Sequence, residues 1–288
     1  MSLIAILISL FVERFIGSLE DLRRFAWFDR YTDRVREHLP VGGRLDGAAG
    51  VLIALAPPVA LVALVNEFLV GLWLPFALLF AILSLLYSFG PRDLEAEVEA
   101  YVDALEREDL ESAGWYAQDL LGANPPEDPR ALSRALTEAI LVEAHERLLG
   151  IIFWFVVLGP MGALLYRLAC LLERRVRGEE AGFAHAVRRV HNILAWVPGR
   201  LCGLGYALSG SFVEAMHHWR REAPRWENPT RGVLVETGFG ALRYDAEAGT
   251  ESASAAAVPV KEALSLAKRT VLVWLTALAL ATLAGWSG

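Results

Sequence analysis

The chain has 288 residues, of which 55% are hydrophobic and 21% are charged, and its mean hydropathy is +0.39. Such apolar composition exceeds that of ordinary soluble domains and indicates that the solvent of this chain is a lipid bilayer. The net charge of -7 argues against nucleic acid as a partner, because phosphate binding needs a concentrated basic surface.

Residues 1–47 hold a short apolar run followed by a basic loop. The run Leu3 to Val12 meets Glu13 and Arg14 directly, so it predicts a short or half-inserted helix rather than a removable signal peptide. Basic residues in short loops mark the cytoplasmic side of a membrane protein. The loop is therefore expected to be cytoplasmic because it carries Arg23, Arg24, Arg30, Arg34, Arg36 and Arg44.

Residues 48–89 predict a transmembrane hairpin. Two apolar runs, Ala48 to Val65 and Leu69 to Phe89, are separated by Asn66 and Glu67. A helix needs about 20 mostly apolar residues to cross a bilayer. The gap has room only for a tight turn, so the two helices are expected to be antiparallel.

Residues 90–147 predict a soluble, acidic helical hairpin. Apolar residues recur at helical spacing over 90–121, among many acidic residues. Asp128 and Pro129 then provide the N-cap and first-turn proline of a second helix. One interpretation is that this hairpin docks a soluble partner through its apolar positions Leu94, Val98, Val102 and Leu105.

Residues 148–213 predict membrane segments around a charged loop. Leu148 to Leu172 either spans the bilayer or enters and returns, with a break near Gly159 and Pro160. Re-entry agrees better with the arginines of the following loop, which one crossing would place outside. Ile193 to Val213 carries Pro198 and Arg200 and is expected to be re-entrant or packed inside the bundle.

Residues 214–269 predict a soluble region of mixed loop and helix, with little structure around Gly249 to Ala257. Residues 270–288 predict a C-terminal transmembrane helix, since Thr270 to Trp286 contains no charge. The predicted fold is an all-α, polytopic integral membrane helical bundle with a soluble helical hairpin. The expected location is a bacterial inner membrane, with several crossings.

Charged residues beside apolar segments are the candidates for a ligand site. Glu138, Glu143, His145 and Glu146 lie within about two helical turns and suit metal binding or acid–base chemistry, although a plain Glu143–Arg147 helix pair explains part of the pattern. Arg200 either satisfies carbonyls freed by a helix break at Pro198 or binds an anionic group, and Arg167 is close enough to its segment end to extend to the interface.

The sequence contains no motif of a familiar catalytic or cofactor site. Neither a phosphate-binding loop nor a GxSxG or HExxH motif occurs, and the adjacent His217 and His218 are expected to face solvent. Cys170 and Cys202 are expected to be small buried residues. No catalytic residue, metal or cofactor is predicted on this basis.

Several motifs resemble the AmpE family, inner-membrane proteins of the β-lactamase induction system. They are the stretch from His145 to Leu149, the stretch from Phe153 to Arg167 with its Gly-Ala-Leu-Leu-Tyr-Arg end, the Trp196-Val197-Pro198-x-Arg200-Leu201 stretch, and Gly240-Ala241-Leu242. The resemblance implies a signalling or sensory membrane protein linked to peptidoglycan recycling and antibiotic resistance. It also implies the cytosolic amidase AmpD, or another cytosolic protein, as a partner.

AmpE proteins are similar in turn to the CobD/CbiB enzymes, which attach an aminopropanol group to a corrinoid carboxylate during cobalamin assembly. The acidic motif of those enzymes falls on Glu138, Val142 and Glu143, so its second acid and its amide are not retained. Their later Asn-x-Gly and Glu are spaced differently from Asn228, Gly232 and Glu236. These departures argue against the same amide-forming chemistry.

The leading hypothesis is thus a non-enzymatic, AmpE-like regulator that binds a small anionic or cell-wall-derived ligand. A CobD/CbiB-like amide-forming enzyme and a docking platform for a soluble partner are the alternatives. Besides the lipid bilayer, a homodimer is the other partner considered. The predicted ligand site consists of Glu138, Glu143, His145, Tyr166, Arg167, Trp196 and Arg200.

Overall fold

A computed structural model describes residues 2–16, 25–38, 46–89, 94–180, 182–244 and 253–285. All regular elements in these ranges are helical, which confirms the all-α prediction. The α-helices are α1 (Ser2–Ile16), α2 (Ala26–His38), α3 (Asp46–Leu72), α4 (Leu74–Ser88), α5 (Leu94–Glu106), α6 (Leu110–Leu121), α7 (Pro129–Ala144), α8 (Gly150–Leu158), α9 (Pro160–Arg175), α10 (Gly182–Ser209), α11 (Phe212–Arg221), α12 (Pro229–Leu242) and α13 (Ala253–Leu283). A π-helical turn (His145–Leu149) joins α7 to α8, and a 3₁₀ turn (Ala223–Arg225) follows α11.

The helices form two compact units, each made of separate stretches of the chain. The first unit comprises Met1–Pro91, Glu146–Val197 and Ala281–Gly288, and the second comprises Arg92–His145 and Pro198–Leu280. The sequence predicted six segments, which were defined by their position inside or outside a membrane. That division stays a prediction.

Helices α3 and α4 form the predicted hairpin of the first unit, but the turn is displaced. Helix α3 continues through Asn66 and Glu67, and the chain turns at Trp73. Glu is a good helix former, so one acidic residue does not stop a long apolar helix, whereas Pro75 begins a new one. The turn expected at residues 66–67 is therefore wrong.

The break expected near Gly159 and Pro160 is confirmed, and it makes α8 and α9 a second hairpin. Gly159 has φ of 67°, a value that favours glycine, and Pro160 opens α9. The two helices pack closely because Gly162 lies against the Trp154 carbonyl, where a side chain would collide with backbone.

The core of the first unit lies between α2, α3, α9 and the start of α10. Aromatic and aliphatic side chains fill it, and the largest contribution from one helix comes from α9. Its buried members are Phe25, Phe28, Val51, Ala54, Leu55, Leu164, Leu168, Ala169, Leu172, Val176, Ala184 and Val187.

The second unit begins with three helices where the sequence predicted two. The single helix expected over 90–121 is interrupted after Glu106, because Glu108 has φ of 59° and Asp109 caps the start of α6. The N-cap at Asp128 and the first-turn Pro129 of α7 are confirmed. The apolar side chains of Val98, Val102 and Leu105 are buried.

Two further boundaries in the second unit differ from expectation. Helix α10 continues through Pro198, so the helix break expected there is wrong. Helix α13 begins at Ala253, within the stretch expected to be a loop, because alanine favours helix. The remainder of that stretch, residues 249–252, lies outside the described residues.

Close helix contacts through glycine hold α11 against α12. A Cβ atom on Gly240 would lie 2.5 Å from the Glu214 carbonyl oxygen and 2.6 Å from the Ala215 Cα. The Gly210 position meets the Ala241 carbonyl in the same way. These contacts bring the backbones of the two helices nearer than larger residues permit.

Two of the described helices are long and apolar enough to cross a bilayer, over Gly47–Leu72 and Ala256–Leu283. The apolar helices over Leu3–Glu13 and Leu74–Ser88 are shorter. Only 22% and 17% of the most apolar windows of the two long helices are buried. A core helix of a soluble protein would be mostly buried, and these two are not.

Candidate functional site

The seven residues of the predicted ligand site are divided between the two units. Tyr166, Arg167 and Trp196 belong to the first unit. Glu138, Glu143, His145 and Arg200 belong to the second. The grouping of all seven around one ligand stays a prediction.

Arg167 does not extend to an interface, as its position near a segment end suggested. Only 1% of its surface is exposed, and its guanidinium carbon lies 5.7 Å from the centre of the Phe25 ring. A cation over an aromatic face is attracted by the ring quadrupole. Arg167 thus contributes to the core of the first unit, whereas Trp196 is 52% exposed.

The predicted residues of the second unit have different local roles. Glu138 Oε1 accepts a hydrogen bond of 3.0 Å from Arg134 Nε, one turn earlier on α7. His145 is 1% exposed and begins the π-helical turn. A Cβ atom on Gly199 would lie 2.5 Å from Thr230 Cγ2 and 3.9 Å from His145 Nε2, so the glycine leaves room for Thr230 and lies at van der Waals distance from the imidazole. Arg200 is half-buried on α10.

A polar cluster that the sequence did not predict lies inside the first unit, around Glu146. Its Oε2 accepts a 3.0 Å hydrogen bond from Arg174 Nη2, and its Oε1 is 4.0 Å from His191 Nε2. The same His191 nitrogen is 3.6 Å from Cys170 Sγ, and the imidazole stacks on Tyr166 with ring centres 6.2 Å apart. Tyr166 is the one member that the predicted site contained.

The π-helical turn places Glu146 in this cluster. π-turns are rare and often occur at functional sites, because the extra residue redirects side chains. Glu146 and His191 are 7% and 6% exposed, so both side chains lie away from bulk water. Two residues 45 positions apart show no local spacing in the sequence, and only the tertiary fold brings them together.

A second polar group, around Glu236, lies inside the second unit. Glu236 Oε1 accepts a 2.9 Å hydrogen bond from Trp226 Nε1, and Oε2 is 3.2 Å from His218 Nδ1. Glu236 is 7% exposed, whereas the side chain of His218 is 34% exposed. His218 is therefore half-buried and held by a carboxylate, and the expectation that it simply faces solvent is wrong.

The residues near the late family motif act together in this group. Asn228 caps α12 by accepting from the backbone amides of Thr230 and Arg231. A Cβ atom on Gly232 would lie 2.7 Å from the Trp226 Cβ. Asn228 thus starts the helix, Gly232 admits the tryptophan, and Glu236 bonds to that tryptophan. Their spacing was visible in the sequence, but not the contacts of Gly232 and Glu236 with Trp226.

The geometry of His218 and Glu236 suits acid–base chemistry. A carboxylate at Nδ1 selects the tautomer with a proton on that atom, which leaves the lone pair of Nε2 to accept a proton. The partial exposure of His218 gives a reactant access to it. Among the described side chains, no three His, Cys, Asp or Glu residues are grouped as a metal site.

Comparison with known proteins identifies the family. Residues 6–247 match the family described as CobD/Cbib protein. The chain belongs to the CobD/Cbib family. The cobalamin biosynthesis protein CobD of Stutzerimonas stutzeri (strain A1501) is 31% identical over 246 residues, which cover 81% of this chain and 78% of that protein. The protein of the same name from Chromobacterium violaceum is 33% identical over 208 residues, or 69% of this chain and 64% of that protein.

The AmpE-like regulator expected from the sequence is wrong. Protein AmpE of Shigella flexneri is 26% identical over 220 residues, which cover 73% of this chain and 75% of that protein, a weaker similarity than that of the two CobD proteins. The motifs behind the expectation include Gly159, Gly162 and Tyr166, which serve a turn, a helix contact and a buried ring stack. Such residues specify packing and do not distinguish a regulator from an enzyme. No solved structure matches the chain significantly.

Proposed function

We propose that this CobD/Cbib family member is a membrane enzyme of cobalamin biosynthesis that joins an amine to a corrinoid carboxylate as an amide. The observation that carries the proposal is the family match over residues 6–247. It is supported by relatives named cobalamin biosynthesis protein CobD that align over most of this chain. The proposal takes up the enzyme alternative from the sequence analysis.

The reaction sets two requirements that protein side chains can meet. A carboxylate must first be activated, for instance by a nucleoside triphosphate, so that its oxygen leaves with the activating group. The attacking amine must also lose a proton, because an alkyl ammonium has no free electron pair. The nitrogen–carbon bond then forms as the activated oxygen departs.

His218 is our candidate for the base that accepts the amine proton. Its Nδ1 is held by Glu236, and the resulting imidazolium is stabilised by that carboxylate. Arg200 lies in the same unit and is our candidate for binding the corrinoid carboxylate, since a guanidinium fork fits a carboxylate with two parallel hydrogen bonds.

The proposed location is a bacterial inner membrane that the chain crosses several times. Helices α3 and α13 support it through their length and their low burial. Large apolar side chains on α3 are widely exposed, including Leu61, Leu64 and Phe68 at 63%, 69% and 69%. Exposed apolar area of this extent is unfavourable in water and favourable in hydrocarbon.

A direct assay tests the proposed reaction. The detergent-solubilised protein is incubated with cobyric acid, an aminopropanol compound, a nucleoside triphosphate and Mg²⁺, and the product is detected by mass. We expect the mass of the two reactants less one water, formed only with all components present. The CobD protein of Stutzerimonas stutzeri, prepared in the same way, is the positive control. Product from that control and none from this chain would refute the proposal.

A separate experiment tests the location. Membranes from expressing cells are washed with alkaline carbonate, which removes peripheral proteins but leaves proteins that cross the bilayer. We expect the protein to stay in the pellet and to enter the soluble fraction only with detergent. Release by the wash alone would contradict membrane insertion without affecting the assay of the reaction.

A further inference from the structure

An apolar groove of about 900 Å³ lies inside the first unit, between the first half of α3 and the first half of α10. Its volume is within the range of about 300 to 1,000 Å³ typical of ligand pockets. Val51 and Leu55 form buried parts of its wall, and Leu52 and Ile193 lie exposed at 66% and 65%. The groove is thus deep on one side and open on the other.

The two helices meet closely at one end of this groove. A Cβ atom on Gly47 would lie 2.5 Å from the Gly182 carbonyl oxygen and 3.2 Å from the Ala186 Cβ. Beyond this contact the groove is lined as far as Val59 on α3 and Leu194 on α10. The twelve helical steps from Gly47 to Val59 span about 18 Å, similar to half of the roughly 30 Å hydrocarbon core.

The basic side chains of the lining, His185 and Arg189, follow the contact at Gly182 by three and seven residues on α10. His185 and Arg189, one turn apart on α10, are exposed and line the groove, and the lining residues include no Asp or Glu. The remaining lining is apolar from there to Ile193 and Leu194. The candidate membrane span of α3 starts at Gly47, beside the same end.

We propose that this groove binds an anionic phospholipid, with the phosphate at Arg189 and His185 and one acyl chain along α3 and α10. A guanidinium binds phosphate through paired hydrogen bonds, and basic pockets between membrane helices suit anionic headgroups. The order of charge and apolar lining matches that of a lipid in one leaflet. The inference rests on the membrane location proposed above and is independent of the reaction.

Other occupants fit the groove less well. A soluble protein partner has no access to a groove along a membrane-facing helix. A small anion alone would leave the apolar length of the groove unfilled. A phospholipid therefore fits the combination of cationic and apolar lining.

Titration of the purified protein with lipid, followed by native mass spectrometry, tests the inference. We expect phosphatidylglycerol to bind more tightly than phosphatidylcholine of the same chain length. Arg189→Gln should weaken phosphatidylglycerol binding about fivefold, the usual effect of one basic residue at an anionic membrane surface. Arg220→Gln removes the same charge from an exposed position on α11 and should have no effect.

A second variant tests the apolar part of the site without changing charge. Ala56 is exposed in the groove, so Ala56→Trp should fill the space and reduce binding of both lipids. Equal binding of the two lipids by the unmodified protein would refute the inference, as would equal effects of Arg189→Gln and Arg220→Gln. Binding of glycerol 3-phosphate as tight as that of phosphatidylglycerol would show a site for a soluble anion instead. The amide-forming assay is read separately, so failure of either proposal is distinguishable.

Discussion

Two buried carboxylates, Glu146 and Glu236, are the residues with the most specific polar environments in the described chain. Each is 7% exposed, and each of its two carboxylate oxygens lies near one basic or hydrogen-bond-donating side chain. Burial of a carboxylate is unfavourable unless such partners compensate for lost water. Substitutions that affect Glu236 therefore test the proposed site, and substitutions that affect Glu146 test the stability of the first unit.

Replacement of Glu236 should impair the reaction more than substrate binding. In Glu236→Gln the amide oxygen still accepts from Trp226, but the amide nitrogen cannot accept from His218 Nδ1. We expect kcat to fall, with little change in KM. His218→Gln should cost about 100-fold or more, the usual contribution of a general base.

His217→Gln is the matched control for both variants, because His217 is the exposed neighbour that lies 3.5 Å from Arg221. Its activity should equal that of the unmodified protein. An equal loss in His217→Gln and His218→Gln would remove His218 from the proposed mechanism.

Loss of the ion pair of Glu146 should destabilise the first unit. Arg174→Met leaves the buried carboxylate without its 3.0 Å partner, and we expect a loss of about 1–3 kcal/mol in unfolding free energy. Arg177→Met removes a more exposed pair with Glu173 and should cost less than about 1 kcal/mol. Thermal unfolding in detergent measures both, and restoration of stability by adding Glu146→Gln to Arg174→Met would support the cause.

At this scale, local sequence patterns predicted one of the two aspartates that cap helices and missed the other. Asp128 was predicted because a proline follows it, whereas Asp109 was missed inside a continuous amphipathic pattern. The His191–Glu146 and His218–Glu236 contacts were missed because each joins two helices. Spacing along one helix carries no information on contacts of that kind.

At the scale of elements, the contact between α11 and α12 depends on the absence of a side chain at Gly240. Gly240→Val should lower the melting temperature markedly, because its Cβ would meet backbone atoms that cannot move independently. Gly114→Ala in α6 is the control, since no atom lies within 4 Å of its added Cβ. Alanine is the better helix former by about 1 kcal/mol, so that variant should be slightly stabilised.

The start of α6 should make the second unit sensitive to acid. The side-chain and backbone hydrogen bonds from Ser112 lower the pKa of Asp109 below its ordinary value. The stability that this carboxylate contributes is therefore present above its ordinary pKa and is lost as the pH falls through the lowered pKa. Asp109→Asn keeps a good N-cap without a titrating group.

Thermal unfolding measured from about pH 5 downwards distinguishes the unmodified protein from Asp109→Asn. We expect the melting temperature of the unmodified protein to fall relative to that of Asp109→Asn as the pH is lowered. A constant difference would show that the ionised form of Asp109 contributes nothing to the cap.

Helical periodicity predicted the existence of most elements but not their ends. Asn66 and Glu67 suggested a turn because they are polar, yet α3 continues through them since neither residue opposes helix strongly. Pro198 suggested a break, yet α10 continues through it. In contrast, Gly159 with Pro160 marked a real break, because φ of 67° cannot continue an α-helix.

At the scale of the whole molecule, composition predicted a membrane class and helical patterning predicted the all-α fold. The motifs also predicted a relation to the CobD/CbiB family, which the family match over residues 6–247 confirms. The AmpE expectation failed because shared packing motifs were read as shared function. Function in this chain depends on a few side chains, whereas packing motifs extend over whole helices.

If the chain crosses a membrane as proposed above, the hairpin of α8 and α9 has a consequence for how the chain is synthesised and inserted. Helix α8 has nine residues, or about 13 Å, less than half of a hydrocarbon core of about 30 Å. Such an arm is too short to act as a stop-transfer sequence when it leaves the ribosome. A nascent chain that ends after Arg175 must therefore bury this hairpin against helices already in place, which makes earlier synthesis of α3 and α4 a condition of its insertion.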